Sequence, residues 1–139
     1  MAVHHTLSFR TPGRGTTDIT AEVAKVVRAH PLQAGLANLF LQHTSASLIL
    51  CENADPTVRE DLERLAARFA PDGDAGYAHD TEGPDDMAAH ARSVFTSSSI
   101  SIPVAAGALL LGTWQGIYLW EHRHAPHTRT LVVTLVAAA

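Results

Sequence analysis

The side chains with the greatest capacity for chemistry begin at the end of an apolar run. His43 ends that run, and the small hydroxyl residues Thr44 and Ser45 follow it directly. A second apolar run then leads to Asn53 and Asp55, at the start of a predicted helix. Hydroxyl groups leave room for a ligand and hydrogen-bond to it, and a helix N-terminus favours anions. We therefore predict a binding site here; a core histidine satisfied by backbone groups is the alternative for His43 alone.

Two more histidines flank an acidic turn in the second half of the chain. His90 lies on a predicted helix, and Asp86 precedes it by four residues on the same helical face. A carboxylate that orients an imidazole is the usual outer-shell partner of a metal-bound histidine. With His79 in the preceding loop, this segment forms half of a candidate metal site. The spacing matches no named metal motif, so a solvated His79 and a partly buried, metal-free His90 are the alternatives.

Glu121 is the one acid in a long apolar segment, residues 114–122. A carboxylate in such a strand requires solvent, a partner or a role in a site. Arg129 follows across a predicted hairpin and is the expected partner. A structural ion pair and a catalytic base are the two interpretations, and a pKa perturbed by burial would support the base.

The bulk composition excludes several functional classes. The chain of 139 residues carries a formal net charge of -4 without a basic patch, so it has no general attraction to nucleic acid or anionic membranes. Its single cysteine, Cys51, excludes an internal disulfide and a thiolate zinc cage. Neither a phosphate-cradling glycine-rich loop nor a nucleophile elbow occurs. No apolar segment is long enough to span a bilayer, and we expect a cytoplasmic protein that binds neither nucleic acid nor membrane.

Hydrophobic periodicity predicts the elements that must position these side chains. Asp55 followed by Pro56 is typical of a helix start, with an N-cap aspartate and a proline in the first turn. The apolar run at 36–43 is typical of a central strand covered on both faces. Trp114, Tyr118 and Trp120 form an apolar strand face that helices or other subunits must cover. Because the elements do not alternate strictly, we predict one α+β domain over residues 1–139, with helices at 21–30, 55–69 and 84–95 and strands at 3–11, 36–43, 48–51, 100–104, 108–111, 114–122 and 129–136.

Four motifs occur in order along nearly the whole chain. They are residues 43–48 (HTSASL), 52–56 (ENADP), 82–87 (EGPDDM) with His90, and 111–118 (LGTWQGIY) with Glu121 and Arg123. Together they resemble the YjbQ-like family, also called the secondary thiamine-phosphate synthase family. The resemblance implies a compact α+β domain with a mixed or mostly antiparallel sheet and about three helices, assembled as a homotrimer.

The resemblance also implies the composition of a site. His43, His79 and His90 are the matching positions for metal ligands, with Asp86 as an outer-shell partner. Catalytic or orienting roles fall to Glu121, Asp55, Asn53 and Ser45, and binding of a phosphorylated small molecule falls to Thr44, Ser45, Arg123 and Arg129. Three histidines suit a zinc-like divalent ion, and magnesium is the alternative if pyrophosphate is part of the substrate.

The activity implied by the resemblance joins an aminopyrimidine pyrophosphate to a thiazole phosphate and releases pyrophosphate. Because histidine ligands fit magnesium–pyrophosphate chemistry poorly, we expect this synthase activity to be secondary. The alternatives are a non-catalytic metal- or metabolite-binding trimer and a metal-assisted phosphate-ester hydrolase. An open coordination position would distinguish a catalytic metal from a structural one.

Overall fold

The computed structural model describes residues 1–138 of the chain. Three helices and eight strands alternate irregularly along it. In chain order they are β1 (Ala2–Arg10), β2 (Gly15–Asp18), α1 (Thr20–Ala29), β3 (Ala34–Leu41), β4 (Ala46–Glu52), α2 (Pro56–Phe69), α3 (Asp86–Phe95), β5 (Ser99–Ala105), β6 (Ala108–Leu109), β7 (Gln115–Glu121) and β8 (Thr128–Ala137). The predicted α+β class is confirmed.

The strands form two sheets, and every strand pairing within residues 1–138 is antiparallel. The larger sheet has the order β1-β8-β3-β5-β6, and the smaller has the order β2-β7-β4. Alternating apolar residues of both sheets join α1 in a single buried cluster that includes Val23, Leu39, Leu48, Leu119 and Leu131. This core holds the ends of β3, β4 and β7 in fixed positions, and the candidate site residues follow those ends.

Helix α2 begins where the sequence predicts. The Asp55 Oδ1 atom accepts a hydrogen bond from the Thr57 backbone N–H at 2.9 Å, and Pro56 occupies the first turn. The helix covers the outer face of β7: the Arg59 guanidinium lies 4.5 Å from the centroid of the Tyr118 ring, and Trp120 Nε1 donates to a glutamate of α2. Tyr118 and Trp120 are therefore buried by the chain's own helix. None of the helices within residues 1–138 has the length and apolarity needed to cross a membrane.

Three details of the predicted strands are corrected by the structure. Trp114 precedes β7 and is exposed, so it does not extend the apolar face formed by Tyr118 and Trp120. The strand β3 is central in its sheet, but only one of its faces is covered, because Leu36 and Phe40 point away from the core and are exposed. The polar strand β2 was not predicted, because four residues of sequence GTTD carry no hydrophobic alternation.

The predicted hairpin of the last two long strands is wrong. Strand β7 pairs with β2 and β4, whereas β8 pairs with β1 and β3 in the other sheet. The segment 122–127 therefore crosses from one sheet to the other instead of making a tight turn. This crossing brings Glu121, at the end of β7, against Arg129, near the start of β8, as a contact between sheets.

Candidate metal centre and the adjoining cleft

Three metal-ligating side chains converge beside the first turns of α3. His79 comes from the preceding loop, Asp86 is the first residue of α3, and His90 lies one turn later. Asp86 Oδ2 lies 2.6 Å from His79 Nε2 and 3.1 Å from His90 Nε2. One ligand atom from each residue lies within 4.8 Å of the other two. A loop and a helical i, i+4 pair thus form a compact group of two nitrogens and one oxygen.

The orientation of His90 is determined by a backbone carbonyl. His90 Nδ1 lies 3.1 Å from the carbonyl oxygen of Thr44, which can only accept a hydrogen bond. The ring proton of neutral His90 is therefore on Nδ1, and Nε2 carries a lone pair. That lone pair faces Asp86 Oδ2, which is also an acceptor when ionised. Two acceptors that face each other require a cation between them, either a proton or a metal ion.

Asp86 is held in its ionised form. Burial alone would raise the pKa of its carboxyl, but the hydrogen bond with His79 and the charges of His90 and Arg123 outweigh burial and lower the pKa below its ordinary value. Arg123 Nη1 donates to Asp86 Oδ1 at 2.7 Å, which leaves Oδ2 directed at the histidines. Asp86 is therefore an anionic candidate ligand whose second oxygen is anchored by Arg123.

Arg123 is engaged at all three of its guanidinium nitrogens. Besides its bond to Asp86, its Nε donates to Asp85 Oδ2 at 3.2 Å and its Nη2 donates to the Glu82 carbonyl at 3.0 Å. These bonds tie the acidic turn to the end of β7. The geometry gives Arg123 a supporting role for Asp86 instead of the predicted direct contact with substrate phosphate.

His43 lies outside the group of three ligands, in contrast to its predicted position. The backbone N–H of Thr130 donates to His43 Nε2 at 2.8 Å, which occupies the lone pair of that nitrogen. The other ring nitrogen, Nδ1, lies 3.3 Å from Nη1 of Arg129. Burial, followed by the charge of Arg129, lowers the pKa of His43, so the ring is neutral near pH 7. A guanidinium beside Nδ1 also repels a divalent ion, and Asp86 is the third member of the candidate group instead.

Glu121 and Arg129 form a buried ion pair. Arg129 Nε donates to Glu121 Oε1 at 2.7 Å, and Arg129 Nη2 donates to Oε2. Thr11 Oγ1 adds a bond to Oε1 at 2.7 Å, and the backbone N–H of Arg123 adds one to Oε2 at 3.1 Å. Burial would raise the pKa of Glu121, but these hydrogen bonds, those of Arg129 foremost, lower it. A carboxylate stabilised in this way is a weak base, which favours the structural ion pair over the catalytic one.

The remaining predicted site residues divide into two groups. Ser45 Oγ accepts a hydrogen bond from Arg129 Nη2 at 2.9 Å, and the Thr44 carbonyl orients His90, so both lie where His43 and His90 approach each other. Asn53 donates to the Thr113 carbonyl, while Asp55 caps α2. Hydrogen bonds from Thr57 lower the pKa of Asp55. Asn53 therefore contacts the segment before β7, and Asp55 serves the start of α2. The structure does not bring either side chain to His79, Asp86 and His90.

A cleft adjoins the metal ligands. It has a volume of about 610 Å³ and is lined by the segment from Phe40 to Ser45 together with Ser98 and Arg129. A smaller hollow of about 220 Å³ shares His43, Thr44 and Ser98 with it and reaches His90. The two hollows therefore connect Arg129 with His90, one of the three candidate metal ligands.

His122 is a buried histidine that sequence analysis did not single out. Burial, followed by the charge of Arg92, lowers the pKa of His122 to about 3. Its Nε2 lies 2.8 Å from Ser47 Oγ. The ring is neutral at physiological pH and forms part of the polar interior between β7 and α3. His122 continues the alternation of Tyr118 and Trp120 along the strand, but its hydrogen-bond partner Ser47 is distant in sequence, so periodicity alone does not predict its environment.

Comparisons with known proteins identify the family. A model of the UPF0047 protein YjbQ-like family matches residues 5–138. A UPF0047 protein of Synechocystis sp. is 46% identical over 127 residues, covering 91% of this chain and 86% of its own. The UPF0047 protein YjbQ of Escherichia coli O157:H7 is 45% identical over 131 residues, covering 94% of each chain.

Solved structures show the same fold. The crystal structure of a conserved hypothetical protein of Thermus thermophilus has a TM-score of 0.84 and 34% identity, covering 95% of this chain and 99% of that one. A YbjQ-like protein of Sulfolobus solfataricus has a TM-score of 0.86 over 99% of this chain and 100% of its own; at 21% identity it supports the fold alone.

The expected thiamine-phosphate synthase function is overturned by these comparisons. The curated relatives carry only the designation UPF0047, and the Sulfolobus solfataricus protein is described as being of unknown function. The expected activity depended on an alternative name for the family, and none of these relatives supports it. The match over residues 5–138 and the identities of 45% and 46% establish that the chain belongs to the UPF0047 YjbQ-like family.

Proposed function

We propose that this protein binds one divalent transition-metal ion through His79, Asp86 and His90 and presents it to a small molecule. The observation that carries the proposal is the pair of facing acceptors, His90 Nε2 and Asp86 Oδ2, held by the Thr44 carbonyl and by Arg123. A metal ion between these atoms satisfies both of them. Three protein ligands leave a coordination position open for water or a ligand, as in catalytic zinc sites.

The donor set favours zinc or a similar ion over magnesium. Imidazole nitrogens suit zinc, copper, iron and nickel, whereas magnesium prefers an octahedral shell of oxygens. The single carboxylate ligand is ionised, because its pKa is lowered. The side chain of His79 is 41% exposed, so the ion is reachable from solvent.

A zinc titration tests the proposal directly. Isothermal calorimetry of the purified, chelator-treated protein is expected to give one zinc site per chain, and a large excess of magnesium is expected to leave the zinc affinity unchanged. Elemental analysis of the protein as isolated should find a transition metal at a matching stoichiometry. A protein that binds no zinc, or that binds magnesium equally well, would contradict the proposed site.

We also propose that the chain assembles as a homotrimer. The outer face of the larger sheet presents Leu36, Phe40 and Val136, which are 45%, 47% and 40% exposed, and no helix within residues 1–138 covers them. A sheet face that leaves three large apolar side chains exposed on a small protein favours contact between subunits. Light scattering is expected to give a mass about three times that of the 14.8 kDa chain. A monomer mass at low micromolar concentration would disprove the trimer.

A further inference from the structure

We propose that His43 and Arg129 form a binding site for a small oxyanion, a carboxylate or a phosphate group, in the cleft beside the metal ligands. The site is separate from the metal centre and does not depend on the metal. It is defined by two hydrogen-bond donors that converge on the same space, His43 Nδ1–H and Arg129 Nη1–H, with the Ser45 hydroxyl next to them.

The protonation of His43 follows from its hydrogen bonds. The Thr130 backbone N–H can only donate, and it points at His43 Nε2 from 2.8 Å. His43 Nε2 must therefore be unprotonated, which places the proton of the neutral ring on Nδ1. Nδ1 lies 3.3 Å from Nη1 of Arg129, a nitrogen that also only donates. The contact is therefore not a hydrogen bond but two N–H groups that lack an acceptor.

Nη1 is the one guanidinium nitrogen of Arg129 for which the structure, within residues 1–138, provides no acceptor. Its Nε donates to Glu121, and its Nη2 donates to Glu121 and Ser45, so the guanidinium is held in place. The neighbour of Nη1 is the Nδ1 atom of His43. The arginine side chain is 4% exposed. A buried donor such as Arg129 Nη1 that is left unsatisfied is unfavourable. An oxygen that accepts from both nitrogens removes this cost without moving any element of the fold.

An oxyanion fits this position better than a cation. A metal ion would require the lone pair of His43 that Thr130 occupies, and it would lie beside a guanidinium. Carboxylate and phosphate oxygens accept several hydrogen bonds at once and are the usual partners of arginine. Both His43 and Arg129 line the cleft of about 610 Å³, which is large enough for a small metabolite. The arrangement is the converse of the metal centre, where two acceptors face each other and require a cation.

Nuclear magnetic resonance of protein labelled with ¹⁵N-histidine tests the inference. Two-bond correlations of the His43 ring are expected to show a neutral imidazole protonated on Nδ1. Addition of sodium phosphate or, in a parallel sample, sodium acetate is expected to shift the His43 signals saturably, whereas sodium chloride at matched ionic strength should not. The tighter of the two oxyanions identifies the chemical class of the ligand.

Two variants and one treatment test whether the response comes from this site. His43→Gln retains an acceptor for the Thr130 N–H but loses the Nδ1–H donor. We expect it to weaken oxyanion binding at least about tenfold, measured in uniformly ¹⁵N-labelled protein through the Thr130 amide signal. Arg28→Gln removes a positive charge from the exposed surface of α1, and it should bind as the unmodified protein does if the response is not a general effect of charge. Chelator-treated protein, which holds no metal ion, should also retain oxyanion binding.

Four results would overturn the inference. They are a His43 ring protonated on Nε2, the absence of a saturable response to either oxyanion, equal binding by His43→Gln, and loss of binding in chelator-treated protein. The last of these would mean that the added phosphate or acetate binds to the metal ion. Zinc binding without an oxyanion response would refute this inference while leaving the proposed function intact.

Discussion

Replacing His90 by alanine is expected to lower the affinity for zinc by more than about 100-fold, because removal of an outer-shell partner alone already costs 10–100-fold. His90 provides the nitrogen whose lone pair faces Asp86 Oδ2 at 3.1 Å, and its Nδ1–H is held by the Thr44 carbonyl. Without that nitrogen, one histidine and one carboxylate remain, which is too few ligands for a tight transition-metal site. Calorimetric zinc titration of chelator-treated protein measures the change.

The matched control for this variant is His4→Ala. His4 is exposed on β1 and contacts Thr134 Oγ1, so its removal deletes the same chemical group far from the candidate centre. Its zinc affinity should equal that of the unmodified protein, and thermal unfolding of both variants reports any general loss of structure. Two outcomes contradict the ligand set: unchanged affinity in His90→Ala, or an equal loss in His43→Gln, which would restore His43 as a ligand.

Replacing Glu121 by glutamine should destabilise the fold by about 3–5 kcal/mol, because it leaves the guanidinium of Arg129 buried without its counter-charge. The two side chains are 1% and 4% exposed, and they join the end of β7 to the start of β8 across two sheets. Urea-induced unfolding at pH 7 measures the change in free energy. The control is Asp61→Asn in the exposed Arg64–Asp61 pair, where the expected loss is below about 1 kcal/mol.

The same pair predicts how stability depends on pH. The folded pKa of Glu121 is below its ordinary value of 4.5, so its contribution is fully present above that value and is lost as pH falls through the lower folded pKa. Glu121→Gln should therefore show a shallower loss of stability on acidification than the unmodified protein. If the variant unfolds at the same urea concentration as the unmodified protein, the Glu121–Arg129 pair does not stabilise the fold. Glu121 is then again a candidate catalytic base.

Local sequence alone determined several features of this protein. The dipeptide Asp55-Pro56 predicted the start of α2, because an N-cap aspartate and a first-turn proline act within one helical turn. The spacing of Asp86 and His90 predicted that they share a helix face, and His79 was correctly associated with them. The α+β class followed from the irregular order of periodic segments. Each of these inferences uses interactions between residues that are near in sequence.

Tertiary structure alone decided which side chains form the candidate centre. Helical spacing predicted Asp86 as an outer-shell partner, and the family resemblance implied His43 as a ligand. The fold instead brings Asp86 to within 2.6 Å of His79, and the Thr130 backbone N–H of β8 donates to His43. Likewise, Glu121 and Arg129 were expected to face each other across a hairpin, yet they meet across two sheets. The protonation site of a histidine and the pKa of a buried acid depend on the donors and charges that surround them. Those neighbours come from strands distant in sequence, and hydrophobic periodicity carries no information about which of them meet.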